Sequence, residues 1–485
     1  MFNQVSKKSR GFALALSLFL IVILATVCFA ALNITTLDNR AATEDYKASR
    51  AFYAARAGVA YAKAQLTDSA NVSLTSVLRY NEHLQLADGY ISEEKFSITI
   101  TPAVDNPARA FRIWKVESTG YYSDAARKII AYLERETFAH YAYFTDRETC
   151  MSSIIQFMGQ DKITGAVHTN GFFTIADHPQ IGGQMVSANS GDTSYNKSTG
   201  VYKRTDSKDS TDNKDFYHSA NKNYTKDRAI ALDDSPDFSF AGGQAEVPLP
   251  RTTSSEIIEA SKMADTSFKG NYRIVFTEDG KAKYYKQVTA QGRTYYEGYP
   301  PHNNGKDKPE KTLDTTVRPG ITMYVDGNVE IDGKVLGRCT LSSSGDTYIC
   351  DDLQYVNPSN CVLGILSEKN IIVRADPNVK QDFYIDAILM ALNGSFTVEN
   401  YNTGVDRGEL HVFGGIVQNK RGPVGQTSTQ TQSYYGGYYT TTKHTGYAKD
   451  YVYDHKLETM PPLNFPYTGK FVIRYFIDKG SLGGV

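Results

Sequence analysis

The chain has 485 residues, with 52 Lys and Arg against 53 Asp and Glu and a formal net charge of −1. So even a balance excludes a general electrostatic attraction to nucleic acid or to an acidic surface, and no basic stripe replaces it. The length admits two to three domains, and 34 tyrosines, one tryptophan and 38 glycines, with frequent Val, Ile and Thr, point to a β-rich exterior portion with many tight turns.

The chain opens with Lys7, Lys8 and Arg10 and no acid, then Gly11, then an apolar run from Phe12 to Leu32 whose hydroxyls are Ser17 and Thr26. At about 1.5 Å per residue the run makes about 31 Å of helix, enough to cross a hydrocarbon core of about 30 Å. The leading cations keep the N-terminus cytoplasmic and send the chain beyond Leu32 across the membrane. An ordinary secretory signal has a shorter apolar core, about 7–15 residues, and a small-x-small cleavage site. Ala30-Ala31-Leu32-Asn33 matches such a site poorly, so the run predicts a retained anchor. Helical character continues beyond it. Phe52, Ala55, Val59, Ala62 and Leu66 form one stripe at spacings of 3, 4, 3 and 4, with Arg50, Arg56 and Lys63 on the other faces. No proline intervenes before Pro102, and Gly58 costs about 1 kcal/mol relative to alanine without ending a helix. One helix from Phe12 to Leu66 is expected, half in lipid and half on a soluble body.

The leader Lys7-Lys8-Ser9-Arg10-Gly11, the junction before Phe12 and the apolar helix resemble a class III signal of the type IV pilin superfamily. The resemblance implies that prepilin peptidase cuts between Gly11 and Phe12 on the cytoplasmic side and leaves the helix in place. The stretch Ala51-Phe52-Tyr53-Ala54-Ala55-Arg56-Ala57-Gly58-Val59-Ala60-Tyr61-Ala62 is similar to that of PilX-type minor pilins and large pseudopilins. Major pilins usually carry glutamate at the fifth position after the cut, where this chain has Leu16. The family's acid, the resemblance implies, neutralises the terminal amine of a neighbouring subunit in a lipid-like core, where an unpaired charge is expensive. Leu16 therefore argues against a repeating shaft subunit and is compatible with a place at the tip or at assembly initiation.

From Lys95 to Glu136 the pattern predicts three antiparallel strands: Phe96–Ile100, Phe111–Glu117 and Ala126–Leu133, with turns at Asn106-Pro107 and Ser118-Thr119-Gly120. The helix stripe is the nearest cover for this sheet of residues 67–148. Val116–Tyr121 is similar to a tract of PilX-type sheets. From residue 149 to about 430, short apolar strands alternate with Gly, Asn and Asp turns, as in Tyr324–Gly337, without intervening helices. That texture predicts a parallel β-helix or irregular β-solenoid, with a β-sandwich as competitor. Gly165–Gly171, Leu389–Phe396 and Gly414–Gly425 resemble the exported domain DUF4900, over roughly 140–470. Residues 188–319 read as a polar insertion, with a short helix at Ser254–Ala264 capped by Ser254 and a hairpin around Glu278–Lys281. Residues 431–485 read as part of a tyrosine-rich loop, beginning near Gln426, followed by a strand, Phe471–Ile477, that caps or pairs with the stack. The fold class expected is α+β and mainly β.

No Gly-x-Ser-x-Gly elbow, His-Glu-x-x-His, Walker loop or dinucleotide glycine pattern occurs. Neither catalytic nor cofactor nor metal residues are expected. His168 sits in a turn and reads as bonding its own loop. Asp326, Asp332 and Asp346 are too sparse for a calcium loop and read first as turn formers. Cys28 lies in the apolar helix. Cys150, Cys339, Cys350 and Cys361 would be exported, where disulfides can form; the alternatives are three complete pairings or free thiols stacked on neighbouring rungs.

The expected protein is a structural minor pilin or pseudopilin-like subunit, not an enzyme. It would pass once through the bacterial inner membrane and present a large exported domain, periplasmic or at the surface once assembled. Its partners would be membrane lipid, prepilin peptidase, other pilin or pseudopilin subunits, and a surface glycan or protein ligand. The competing reading is a membrane-tethered β-solenoid that binds or processes polysaccharide.

Overall fold

A computed structural model describes residues 8–68, 77–85, 91–103, 113–150, 153–155, 157, 160–171, 179–188, 195–196, 201–202, 230–231, 239–434 and 437–481. The chain divides into two units, residues 1–135 with 470–485 and residues 136–469.

In the first unit α1 runs unbroken over Lys8–Asp68. Strands β1 (Leu78–Gln85), β2 (Ile91–Pro102), β3 (Ile113–Tyr122) and β4 (Ala125–Thr137) come next along the chain. They pair antiparallel in sequence order, Ile98 opposite Tyr80 and Ser118, and Ser118 opposite Ile129. The tight turn at Ser123–Asp124 joins β3 to β4, with Ser123 at positive φ. Ser118-Thr119-Gly120, expected as a turn, therefore lies inside β3, paired on both sides. The expected Asn106-Pro107 turn lies outside the described residues. Alternation puts Trp114, Val116, Ile98, Ile100 and Leu133 on one face, where they pack on Ala55, Val59, Ala62 and Leu66 of α1. Two strands of this sheet lie beyond the three that the pattern predicts. One is β1. The other is the C-terminal strand Tyr467–Ser481, which lies next to β4 and completes a five-stranded sheet instead of capping the second unit. Phe471 explains the difference: it is buried edge-on against Trp114, 5.3 Å between centroids.

The second unit is built from columns of parallel strands. In one column Ile321–Asp326 pairs with Arg338–Ser343, then Val362–Ser367, Phe383–Ala391, Asp406–Lys420, Tyr143–Arg147 and Val167–Thr169. Another runs from Tyr272–Thr277 through Val329–Val335 and Thr347–Tyr355 to Ile371–Val373 and Phe396–Val398. Inward residues such as Ile331, Ile349, Ile365, Leu389, Val412, Ile416 and Ile163 share one continuous core. Turns stack by side-chain bonds: Asn271 Oδ1 accepts from Asn328 N, Asn328 Oδ1 from Asp346 N, and Asn370 Oδ1 from Ser395 N. At Gly345 a Cβ would lie 2.1 Å from Asn328 Oδ1, so only glycine lets that stack close.

The helix Ser255–Met263 forms where expected, with Ser254 Oγ accepting from Ile257 N. The hairpin Tyr272–Thr277 with Lys281–Ala290 also forms, yet its first strand joins the ladder through Ile274 opposite Ile331. The polar stretch is thus not an excursion throughout, and most of 189–238 lies outside the described residues. The expected tyrosine-rich loop is a long antiparallel hairpin, Gly425–Tyr434 with Gly437–Tyr453. Its threonines and tyrosines favour strands, and the sequence pair Gly436-Gly437 is a hairpin signal that outweighs low hydrophobicity.

Candidate functional site

The distinctive feature of α1 is that one half has no cover. Large apolar side chains from Phe12 to Leu37 are exposed, Phe12 at 73% and Leu16 at 52%. Among the described residues this is the one helix long and apolar enough to cross a membrane. Lys7 lies outside the described residues; Lys8, Arg10 and Gly11 belong to the helix backbone, and the side chains of Lys8 and Arg10 are not described.

The other half is gripped by the sheet at close range. The Ser118 hydroxyl of β3 donates to the Ala55 carbonyl at 2.8 Å. A Cβ on Gly58 would lie 2.3 Å from Ser118 Oγ, and one on Gly120 would lie 2.1 Å from Ala51 O and 2.2 Å from Ala55 N. The two glycines set the helix-to-strand distance. Next to this contact Arg50 pairs with the buried carboxylate of Glu94 and sits 5.0 Å over the Tyr122 ring, and Lys47 reaches Asp124 at 2.8 Å. On the far face Lys115 and Lys128 hold the Glu117 carboxyl at about 2, well below its ordinary 4.5.

Cys339, Cys350 and Cys361 are free thiols, as is Cys28 on the exposed half of α1. The side chain of Cys150 is not described. Burial pushes the Cys350 thiol up to about 12, with the nearby Glu330 carboxylate adding to it.

The residues weighed for chemistry are held by separate partners. His168 is buried, stacked on Phe144 at 5.1 Å, with Nε2 3.1 Å from Asn170 Oδ1. Asp332 pairs with Arg273, Asp326 accepts from Ser344 Oγ at 2.9 Å, and Asp346 accepts from Asn370 N and Nδ2. Of the tyrosine-rich segment, the side chains of Tyr434, Tyr438 and Tyr439 are not described, and Tyr435 lies outside the described residues.

Two polar clusters of the second unit are not legible in the sequence. In the interior Arg421 pairs with Glu148 at 3.0 Å and lies 3.7 Å over the Phe157 ring, while Lys449 pairs with Asp161. On the outer face Glu409 and His411 stand two apart on one strand and so point the same way. His411 is in register with Tyr384 on one neighbouring strand and Asp450 on the other, and Asp450 with Lys162 beyond. His411 Nδ1 is 2.7 Å from Asp450 Oδ2, its Nε2 is 3.8 Å from Glu409 Oε2, and Tyr384 stacks on the imidazole at 4.5 Å. Glu409-x-His411 is visible in sequence. Asp450 comes from another strand, and only the ladder register brings it there.

Residues 110–190 match the family described as Domain of unknown function (DUF4900). The match includes Gly165–Gly171 but not Leu389–Phe396 or Gly414–Gly425, the other two segments that resemble that domain. No curated protein matches. A solved structure, the competence-associated pilin ComZ from Thermus thermophilus, aligns over 89% of this chain and 97% of its own, at 13% identity and a TM-score of 0.32. A likeness of that size carries no inference of fold or role.

Proposed function

We propose that this chain is a membrane-anchored subunit of a type IV pilus or type II secretion-like filament, of the minor pilin or pseudopilin kind, presenting a large exported domain. The carrying observation is the split character of α1: an apolar half with no cover beside a half locked on an antiparallel sheet by Gly58, Gly120 and Ser118. A half-helix of that composition needs lipid or other apolar helices around it. The leader Lys7, Lys8, Arg10 and Gly11 fits removal by prepilin peptidase before Phe12, and Leu16 fits a tip or initiating position of PilX type. The bacterial inner membrane is the proposed site before assembly. We read the parallel columns of the second unit as an irregular β-solenoid, since their register repeats and their turns stack.

The test is the mature N-terminus by mass spectrometry. It is expected at Phe12, with co-purification of pilin-type subunits that is lost in Gly11→Leu. A protein beginning near Leu32, or one that stays unassociated with such subunits, would overturn the reading.

A further inference from the structure

The row Tyr384, His411, Asp450 on the outer face of the second unit, with Glu409 beside it, has a geometry that plain surface salt bridging does not require. His411 is bonded on one side only. Its Nδ1 is at hydrogen-bond distance from Asp450, 2.7 Å, whereas 3.8 Å separates its Nε2 from Glu409 Oε2. The second gap is too long for a hydrogen bond. It suits two ligands of a shared cation, because imidazole and carboxylate each bind zinc at about 2.0–2.2 Å. A histidine ligand commonly gives its other N–H to a carboxylate, which fixes the ring. Asp450 occupies that place. Tyr384, stacked at 4.5 Å, restrains the same ring from its face.

We propose that Glu409 and His411 Nε2 form a site for a divalent transition cation of the zinc class, with Asp450 as the positioning residue for the imidazole. Water completes the coordination. A nitrogen and a carboxylate oxygen select zinc, nickel or cobalt over calcium, which needs six to eight oxygens. Lys162 supplies an internal competitor, since its Nζ lies 3.9 Å from Glu409 Oε1 and its charge repels a cation. All four strands belong to the rigid ladder, so the site would form with little rearrangement.

The experiment is calorimetric titration of ZnCl2 into the full-length protein in detergent, free of any histidine tag, with a parallel series following visible absorption of CoCl2. One equivalent is expected to bind, unaffected by millimolar CaCl2. His411→Ala and Glu409→Gln should abolish that event. Asp450→Asn should weaken it roughly tenfold and shift the cobalt bands, as loss of an orienting partner does. Lys162→Met should tighten it. A wild-type isotherm without a one-to-one event, or one that survives His411→Ala, overturns the site; an Asp450→Asn protein with wild-type affinity and cobalt spectrum overturns the role given to Asp450. Cation binding is independent of filament assembly, so the site stands or falls apart from the filament role.

Discussion

The Ser118 hydroxyl reaches the Ala55 carbonyl at 2.8 Å because Gly58 and Gly120 carry no Cβ. Substituting Gly120→Ala drives a methyl into helix backbone that cannot rotate away. Overpacking of that kind costs about 1–3 kcal/mol. Ser118→Ala removes one buried hydrogen bond and should cost about 0.5–1.5 kcal/mol. Limited proteolysis and the apparent melting temperature report both changes. The larger drop is expected for Gly120→Ala.

The interior pair of Lys449 and Asp161 gives a different signature. Burial holds the Lys449 pKa below its ordinary value, and the ion pair with Asp161 offsets part of that cost. Removing one partner strands the other. Asp161→Ala alone should cost about 3–5 kcal/mol, and a double apolar replacement, Asp161→Leu with Lys449→Met, should recover much of it. Chemical denaturation of the single and double variants decides this.

Thiol labelling separates the cysteine alternatives. At pH 8 a thiol held near 12 has almost no thiolate, the reactive form. Cys350 in the native protein should therefore label far more slowly with maleimide than it does after denaturation. Peptide mapping reads each position. Labelling of Cys339, Cys350 and Cys361 after denaturation without reductant is expected; one that stays unlabelled would be in a disulfide and overturn its free-thiol state.

Glu117 predicts one part of the acid sensitivity. Its folded pKa, about 2, is depressed below the ordinary 4.5 by hydrogen bonds from Lys115 and Lys128. A depressed carboxyl contributes stability that is complete above the ordinary value and lost as pH falls toward the folded one. Glu117→Gln should flatten the fall in melting temperature between pH 4.5 and 2 without changing the alkaline side. An unchanged acid limb would show that the pair is too well solvated to matter.

Local pattern carries the helix, its docking stripe and strands β2 to β4, because periodicity of 3.6 or 2 is written in neighbouring residues. Val59, Ala62 and Leu66 lie buried where the stripe puts them. Register across the ladder is not local. Nothing in the order of the chain places Tyr143 beside Ile416, or Asp450 beside His411. The outer cluster and the buried pairs depend on that register, so the sequence offers only their members. The C-terminal strand is hard to place for the same reason: Phe471–Ile477 reads as an apolar strand, but its partner β4 precedes it by more than three hundred residues.

That long closure bears on synthesis. The ribosome delivers α1 and β1 to β4 first, but the fifth strand of their sheet emerges only with residues 467–481. Until then the free edge of β4 offers unpaired backbone to any passing strand. A premature stop anywhere in the second unit would thus harm the first, leaving a nascent anchor that exposes a sticky border to its neighbours.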